Sequence, residues 1–180
     1  MSIIIFDTET TGLRKADITP LNECPYIVEF AGIKIDSKTF ETIGTLKFLA
    51  KPGIEIPREV INIHHITNEM VENEKSFADK SSELEDFFKD CEMAVAHNIA
   101  FDKYMIDTEY RRLGKEFPWP SKLICTVNRT FSLFGYRLNL AKLHDHLFHR
   151  PFDGAHSAMG DTEALKNCFV KMIQDKIIEL

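Results

Sequence analysis

The sequence predicts an α/β domain built on a mixed five-stranded sheet, three antiparallel strands followed by parallel ones, with helices on its faces. Three observations carry this expectation. Strand-like segments crowd the first third of the 180-residue chain. Helical periodicity sets in at Ser76, and the apolar runs between the later helical stretches are only of strand length. The length and a hydrophobic fraction of 44% fit one domain spanning residues 1–180 with a full core.

Ile3–Phe6 is an apolar run of strand type that stops at two acids, Asp7 and Glu9. Tyr26–Asp36 alternates apolar and polar residues over part of its length, and Thr42–Pro52 reads as a third strand closed by a Pro-Gly turn. The short gap at Ser37–Phe40 fits a hairpin between these two. In Ser76–Asp90, Phe77, Leu84, Phe87 and Phe88 recur at roughly helical spacing behind a capping serine. Met93–Ala96 is a short buried strand ending at His97 and Asn98, and Ala100–Leu113 is a helix stopped at Gly114. Phe117–Pro120 forms a proline-rich turn before a short fifth strand at Leu123 and Ile124. Helices are expected at about Val127–Phe134 and Leu138–Phe148, and a last one from near Ser157 to the C-terminus.

Twenty-eight acidic against 22 basic residues give a formal charge of −6, which argues against a broad electrostatic grip on nucleic acid. No apolar run reaches the length of a membrane span, and the N-terminus lacks the basic-then-apolar pattern of a signal peptide. Cys24, Cys91, Cys125 and Cys168 have neither zinc-knuckle nor redox-pair spacing, so reduced thiols in a cytoplasmic protein are expected. The histidines of the run His144–Arg150 (His144, His146 and His149) invite a zinc reading. Without nearby cysteines or a closed set of four ligands that reading is rejected.

The residues that carry chemistry are Asp7, Glu9, Asp102, His156 and Asp161. Asp7 and Glu9, two apart on a strand, point to one face and repel unless a cation or a proton lies between them. On its own the pair is equally a solvated strand end. Asp102 follows the exit of the inner strand, where ligands bind in open α/β sheets, and an acid there also suits a helix N-terminus. Asp161 falls in the early turns of the last helix, and His156 lies in the loop or helix start before it. Taken singly, His156 is a loop histidine.

In combination, the segments FDTETTG, HNIAFD and HSAMGD resemble the DEDDh exonuclease group, the DnaQ-like family within the ribonuclease-H-like fold. The resemblance spans nearly the whole chain and is nearest to the proofreading exonuclease domains of bacterial DNA polymerase III. The four residues between His156 and Asp161 match the histidine branch. The resemblance implies a 3′→5′ exonuclease that releases nucleoside 5′-monophosphates from single-stranded ends, DNA rather than RNA, in replication or repair beside a polymerase or repair partner. It implies two divalent cations, Mg²⁺ or Mn²⁺, with Asp7 shared between them, Glu9 and Asp161 on one, and Asp102 on the other, directly or through water. His156 would take the proton from the attacking water. Thr8, Thr10, Thr11 and Leu13 would meet the terminal nucleotide, with Leu13 wedged against a base. His64, Asn98 and Phe101 would add contacts. The Thr-Thr-Gly segment is equally a plain turn, His64 a helix-end residue, and Phe101 a core residue. An exoribonuclease is the alternative enzyme, and an inactive nucleic-acid-binding module the alternative of another class; the latter should have lost an acid, and none is missing.

Overall fold

The computed structural model describes residues 1–16 and 18–179, with the backbone alone at residues 132 and 133. Strands β1 (Ser2–Thr10), β2 (Ile27–Asp36), β3 (Thr42–Leu49), β4 (Cys91–Ala96) and β5 (Lys122–Cys125) form one sheet in the order β3-β2-β1-β4-β5. The β1–β2 and β2–β3 pairs are antiparallel, and the β1–β4 and β4–β5 pairs parallel. This is the mixed ribonuclease-H-like sheet that the sequence predicts. The helices are α1 (Arg58–His64), α2 (Asn68–Val71), α3 (Phe77–Phe88), α4 (Ile99–Arg112), α5 (Thr126–Phe134), α6 (Leu140–Phe148) and α7 (Ala158–Gln174).

β1 is the centre of the molecule. Ile3, Ile4, Ile5 and Phe6 are each at most 1% exposed, because both faces of the sheet are covered. Ile3 and Ile5 pack with Ile33, Ile35, Leu165 and Phe169 on the α7 side. Ile4 and Phe6 pack with Phe30, Phe88, Met105 and Tyr110 on the α3–α4 side. The second layer is rich in rings: Phe88 meets Phe117 edge-on at 4.9 Å between centroids, and Tyr110 meets Phe117 at the same distance. A smaller cluster of Val28, Ile56, Ile66 and Val71 seats α2 and the loops flanking α1 beside β2.

Local signals set the boundaries. Ser76 caps α3 by accepting the Asp79 N–H while Asp79 accepts from the Ser76 N–H, a reciprocal box. Asn139 caps α6 through the Lys142 N–H, so Leu138 lies just outside that helix. Helix α4 runs out at Arg112, ahead of Gly114 in the left-handed region at φ 67°. Asp36 Oδ1 accepts the Lys38 and Thr39 N–H groups and shapes the β2–β3 hairpin turn.

Three features differ from expectation. β1 does not stop at Phe6: pairing with β2 continues through Asp7↔Ala31 and Glu9↔Glu29, until a bulge between Glu9 and Thr10 ends it. The acids therefore belong to the ladder rather than to its exit. Helices α1 and α2 lie in a stretch given no element beyond the alternative of a helix end at His64, since one or two turns are too short for an apolar period to show. Helix α7 ends at Gln174 instead of running to the C-terminus. All four cysteines are free thiols. No helix among the described residues is long and apolar enough to cross a membrane.

Leu84, wholly buried on α3 among the aromatic layer, is remote from the acids. Leu84→Ala should lower stability by about 2–5 kcal/mol in denaturant titration while leaving the acid cluster intact.

Candidate active site

Strand alternation deals out three consecutive residues of β1 to opposite sides. Asp7 and Glu9 share the face of Ile3 and Ile5, towards α7, whereas Thr8 shares the face of Ile4 and Phe6, towards α4. On the α7 side the first helical turn presents Asp161. Ala158, Leu165, Phe169 and Met172 form the buried stripe of α7, and Asp161 stands on that stripe at its N-terminal end. The result is a trio: carboxylate oxygens of Asp7, Glu9 and Asp161 lie within 4.8 Å of one another.

Asp102 approaches from the other side. It sits in the first turn of α4, 2% exposed, and its Oδ1 accepts the Thr8 hydroxyl at 2.9 Å. The structure thus brings three acids together and holds the fourth behind them, close enough for its charge to act on Asp7. Thr8, expected at the nucleotide, is 5% exposed and spends its side chain on Asp102. The alternation along β1, a consequence of the strand extending through Thr10, is the reason.

The electrostatics follow from this crowding. Burial, then Asp102, Glu9, Asp161 and Glu29 together push Asp7 well above the usual carboxylate range. Glu9 is pushed up to about 8 by burial, then by Asp161, Glu29 and Asp102. Asp102 is raised to about 7 by burial, against the Thr8 hydrogen bond, which favours the charged form. Asp161 is raised by burial, against the His156 backbone N–H that donates to its Oδ2 at 3.0 Å. An all-oxygen trio that resists ionisation is the donor set a hard divalent cation requires, since the ion replaces the protons as the neutralising charge.

His156 lies in the loop just ahead of α7, exposed, with φ 66°. Ser157 caps the helix by accepting the Gly160 N–H, and its hydroxyl donates to the Gly154 carbonyl. That loop closes directly onto the helix. A Cβ on Gly160 would lie 2.1 Å from the Gly154 oxygen, so no larger residue fits at this point of HSAMGD.

The other sequence candidates fall into two groups. Leu13 is 79% exposed just beyond β1, and Asn98, exposed, starts α4 from a left-handed conformation. Phe101 is half-buried and packs on the aromatic layer. Thr10 and Thr11 are buried and occupied: the Thr10 hydroxyl donates to the Gly12 carbonyl, and Thr11 exchanges hydrogen bonds with the Tyr26 backbone. His64 closes α1, 5% exposed. Its Nδ1 accepts the Ile66 N–H, and its buried Nε2 has no hydrogen-bond partner among the described residues. Its pKa is lowered by burial. In the run at 144–150, His144 is buried against Phe148 and bonded to the Arg150 carbonyl, and His146 packs on Phe134. Among the described residues, only the acid trio forms a potential metal-binding group.

Two residues escaped the sequence reading. Glu29, at mid-β2, is 4% exposed, although partial alternation suggested a solvent-facing side chain. A lone charge inside the run Ile27–Ala31 was the available signal. His97 is pushed down to about 4 by burial. Its Nε2–H donates to the Leu138 carbonyl, which leaves Nδ1 to accept the Thr126 hydroxyl. The neutral ring braces the end of β4 against α5 and the segment entering α6.

Comparison with known proteins places these features in context. The RNase_T exonuclease family matches residues 4–169. The chain is 30% identical over 179 residues to the PolC-type DNA polymerase III of Staphylococcus haemolyticus, covering 95% of this chain and 11% of that protein. It therefore spans only a small part of the curated relatives it matches. The nuclease domain of 3′hExo, a DEDDh family member bound to rAMP, superposes with a TM-score of 0.79 at 18% identity, over 97% of this chain and 92% of that one. Escherichia coli exonuclease I in complex with a dA16 oligonucleotide gives 0.77 at 19% identity, over 98% and 42%. These two likenesses are likenesses of fold.

The crowding predicts a pH signature. The folded chain holds protons on Glu9, and on Asp7 and Asp161, that an unfolded chain releases above the ordinary 4.5 for glutamate. Folded values are raised, so stability is full at low pH and is lost as pH rises towards about 8. Thermal melts in EDTA should show Tm falling across this window, and Mg²⁺ should restore it most at the alkaline end. A flat metal-free profile would contradict the assignment.

Proposed function

The chain belongs to the RNase_T exonuclease family, and we propose that it removes nucleotides from the 3′ end of single-stranded DNA, releasing nucleoside 5′-monophosphates by hydrolysis assisted by two divalent cations. The observation that carries this reading is the convergence of Asp7, Glu9 and Asp161 from the two ends of the chain, with Asp102 set behind them. The ions, Mg²⁺ or Mn²⁺, supply Lewis acidity at the attacking and leaving oxygens when bound. Asp7, Glu9 and Asp161 hold them; Asp102, fixed by Thr8, supports the second through its charge or a water.

His156 is the proton acceptor in this scheme. Its backbone is tied to Asp161, and its side chain is exposed beside the acid trio, where an imidazole can accept a proton. The exposed Leu13 suits a wedge against the terminal base, and Asn98 and Phe101 suit further nucleotide contacts. For Thr8, Thr10 and Thr11 the hydroxyls are already engaged, so any nucleotide contact there runs through the backbone. His64 keeps a buried, unpartnered Nε2 that suits a polar contact with the nucleotide. DNA is favoured over RNA because the 30% identical relative is a DNA polymerase, which also suggests a polymerase or repair partner in the cytoplasm. The net charge of −6 fits an enzyme that grips only a strand end.

A 5′-labelled oligonucleotide should shorten to a ladder with Mg²⁺ or Mn²⁺ and remain intact in EDTA. Matched DNA and RNA strands in the same assay decide the sugar preference. Asp7→Asn should abolish cutting and weaken metal binding. His156→Ala should keep metal affinity while lowering kcat by about 10²- to 10⁴-fold. Wild-type turnover in His156→Ala would remove the histidine from the proton transfer, and digestion surviving EDTA would reject the metal scheme.

A further inference from the structure

Glu29 stands opposite Glu9 in the β1–β2 ladder, on the same side of the sheet as the acid trio. Its charge acts on Asp7, Glu9 and Asp161, so a buried fifth carboxylate sits beside four that already repel one another. Such a placement is unfavourable unless the group does something and its charge is met. Both conditions hold. Oε1 is 3.0 Å from Lys47 Nζ, which reaches across from β3 with 46% of its side chain exposed. Oε2 accepts the backbone N–H of Ala158 at 2.8 Å, in a buried bond between residues 129 apart in sequence.

Ala158 is the first residue of α7, and its N–H is one of the groups a helix start leaves without an intrahelical partner. Asp161 lies less than one turn further on. The Thr162 hydroxyl donates to the Ala158 carbonyl at 2.6 Å, inside the helix, and lies 3.3 Å from the Ala31 carbonyl of the same strand. The N-terminus of α7 is therefore fastened to β2 from below, while β1 carries Asp7 and Glu9 on the adjacent strand. Sliding of α7 along the sheet by a fraction of its rise per residue would break the Glu29 bond and move Asp161 off the trio.

We propose that Glu29 is a positioning residue. By clasping the Ala158 N–H, it sets the register of α7 against β1 and holds Asp161 at ligand distance from Asp7 and Glu9. Lys47 pairs with its charge from β3, so the clasp is not an unpaired buried carboxylate. The role requires reach, not charge, and it rests on the metal-dependent reading of the trio.

Two conservative variants separate reach from charge. Glu29→Gln keeps an acceptor oxygen at the length needed for the Ala158 N–H and removes the charge. Glu29→Asp keeps the charge and withdraws the oxygen by one methylene. Mn²⁺ binding to the full chain by calorimetry or electron paramagnetic resonance is the readout, with strand digestion as the second. Glu29→Gln should bind Mn²⁺ and turn over within about threefold of wild type, whereas Glu29→Asp should weaken both about 10- to 100-fold. Equal loss in both variants, or loss only in Glu29→Gln, would overturn the proposal in favour of a role for the charge itself. Wild-type behaviour of Glu29→Asp would overturn it outright. If wild type binds Mn²⁺ but leaves strands uncut, the proposed function fails while the Mn²⁺ comparison still decides the role of Glu29. A wild type that binds no Mn²⁺ overturns both.

Discussion

Mutual repulsion among carboxylates is the constraint around which this molecule is arranged. Three carboxylate groups share a space less than 5 Å across, a fourth acts on them from behind, and burial strengthens every term between them. Nothing in the trio itself favours that proximity. The two hydrophobic layers and the hydrogen bonds beside the acids supply the holding force, and a bound cation converts repulsion into coordination.

The fold meets this constraint from both faces of one strand. β1 is clamped by Ile3, Ile5 and Phe169 on one side and by Phe6, Phe88 and Tyr110 on the other, so its alternation is rigidly kept. Asp7 and Glu9 then face α7, and Thr8 faces Asp102. Each incoming acid is secured by a group on the sheet or its own loop: Asp102 by the Thr8 hydroxyl, Asp161 by the His156 N–H. Where the helix carrying Asp161 begins, Glu29 meets its first N–H. The acids sit on regular elements and the histidine on a loop, so the side chains that crowd together are the ones held most rigidly.

Much of this was legible in the sequence. The sheet order of three antiparallel strands and then parallel ones followed from where the apolar period changed from two to three or four. The main acids stood out because DTE, HNIAFD and HSAMGD form a set. What escaped depended on tertiary contacts. β1 runs on through its acids because β2 supplies ladder partners, and no local propensity of Asp-Thr-Glu-Thr announces that. That the Thr8 hydroxyl turns to Asp102 follows only once its side of the strand is known. Glu29 was not singled out, because alternation cannot reveal a helix start arriving from residue 158. His97 was visible only as part of a motif, and its bracing of Thr126 and Leu138 is a product of the packed fold.

The distance along the chain between β1 and α7 has a biological corollary. Loop closure over so long a span must be completed before the trio exists, and the closing bonds lie in the last helix. A ribosome that has delivered β1 through α6 carries no assembled acid trio, whatever the folding of the sheet already made. Nascent and truncated chains therefore hold Asp7 and Glu9 without their third partner, which arrives only once synthesis has passed the segment that bears Asp161.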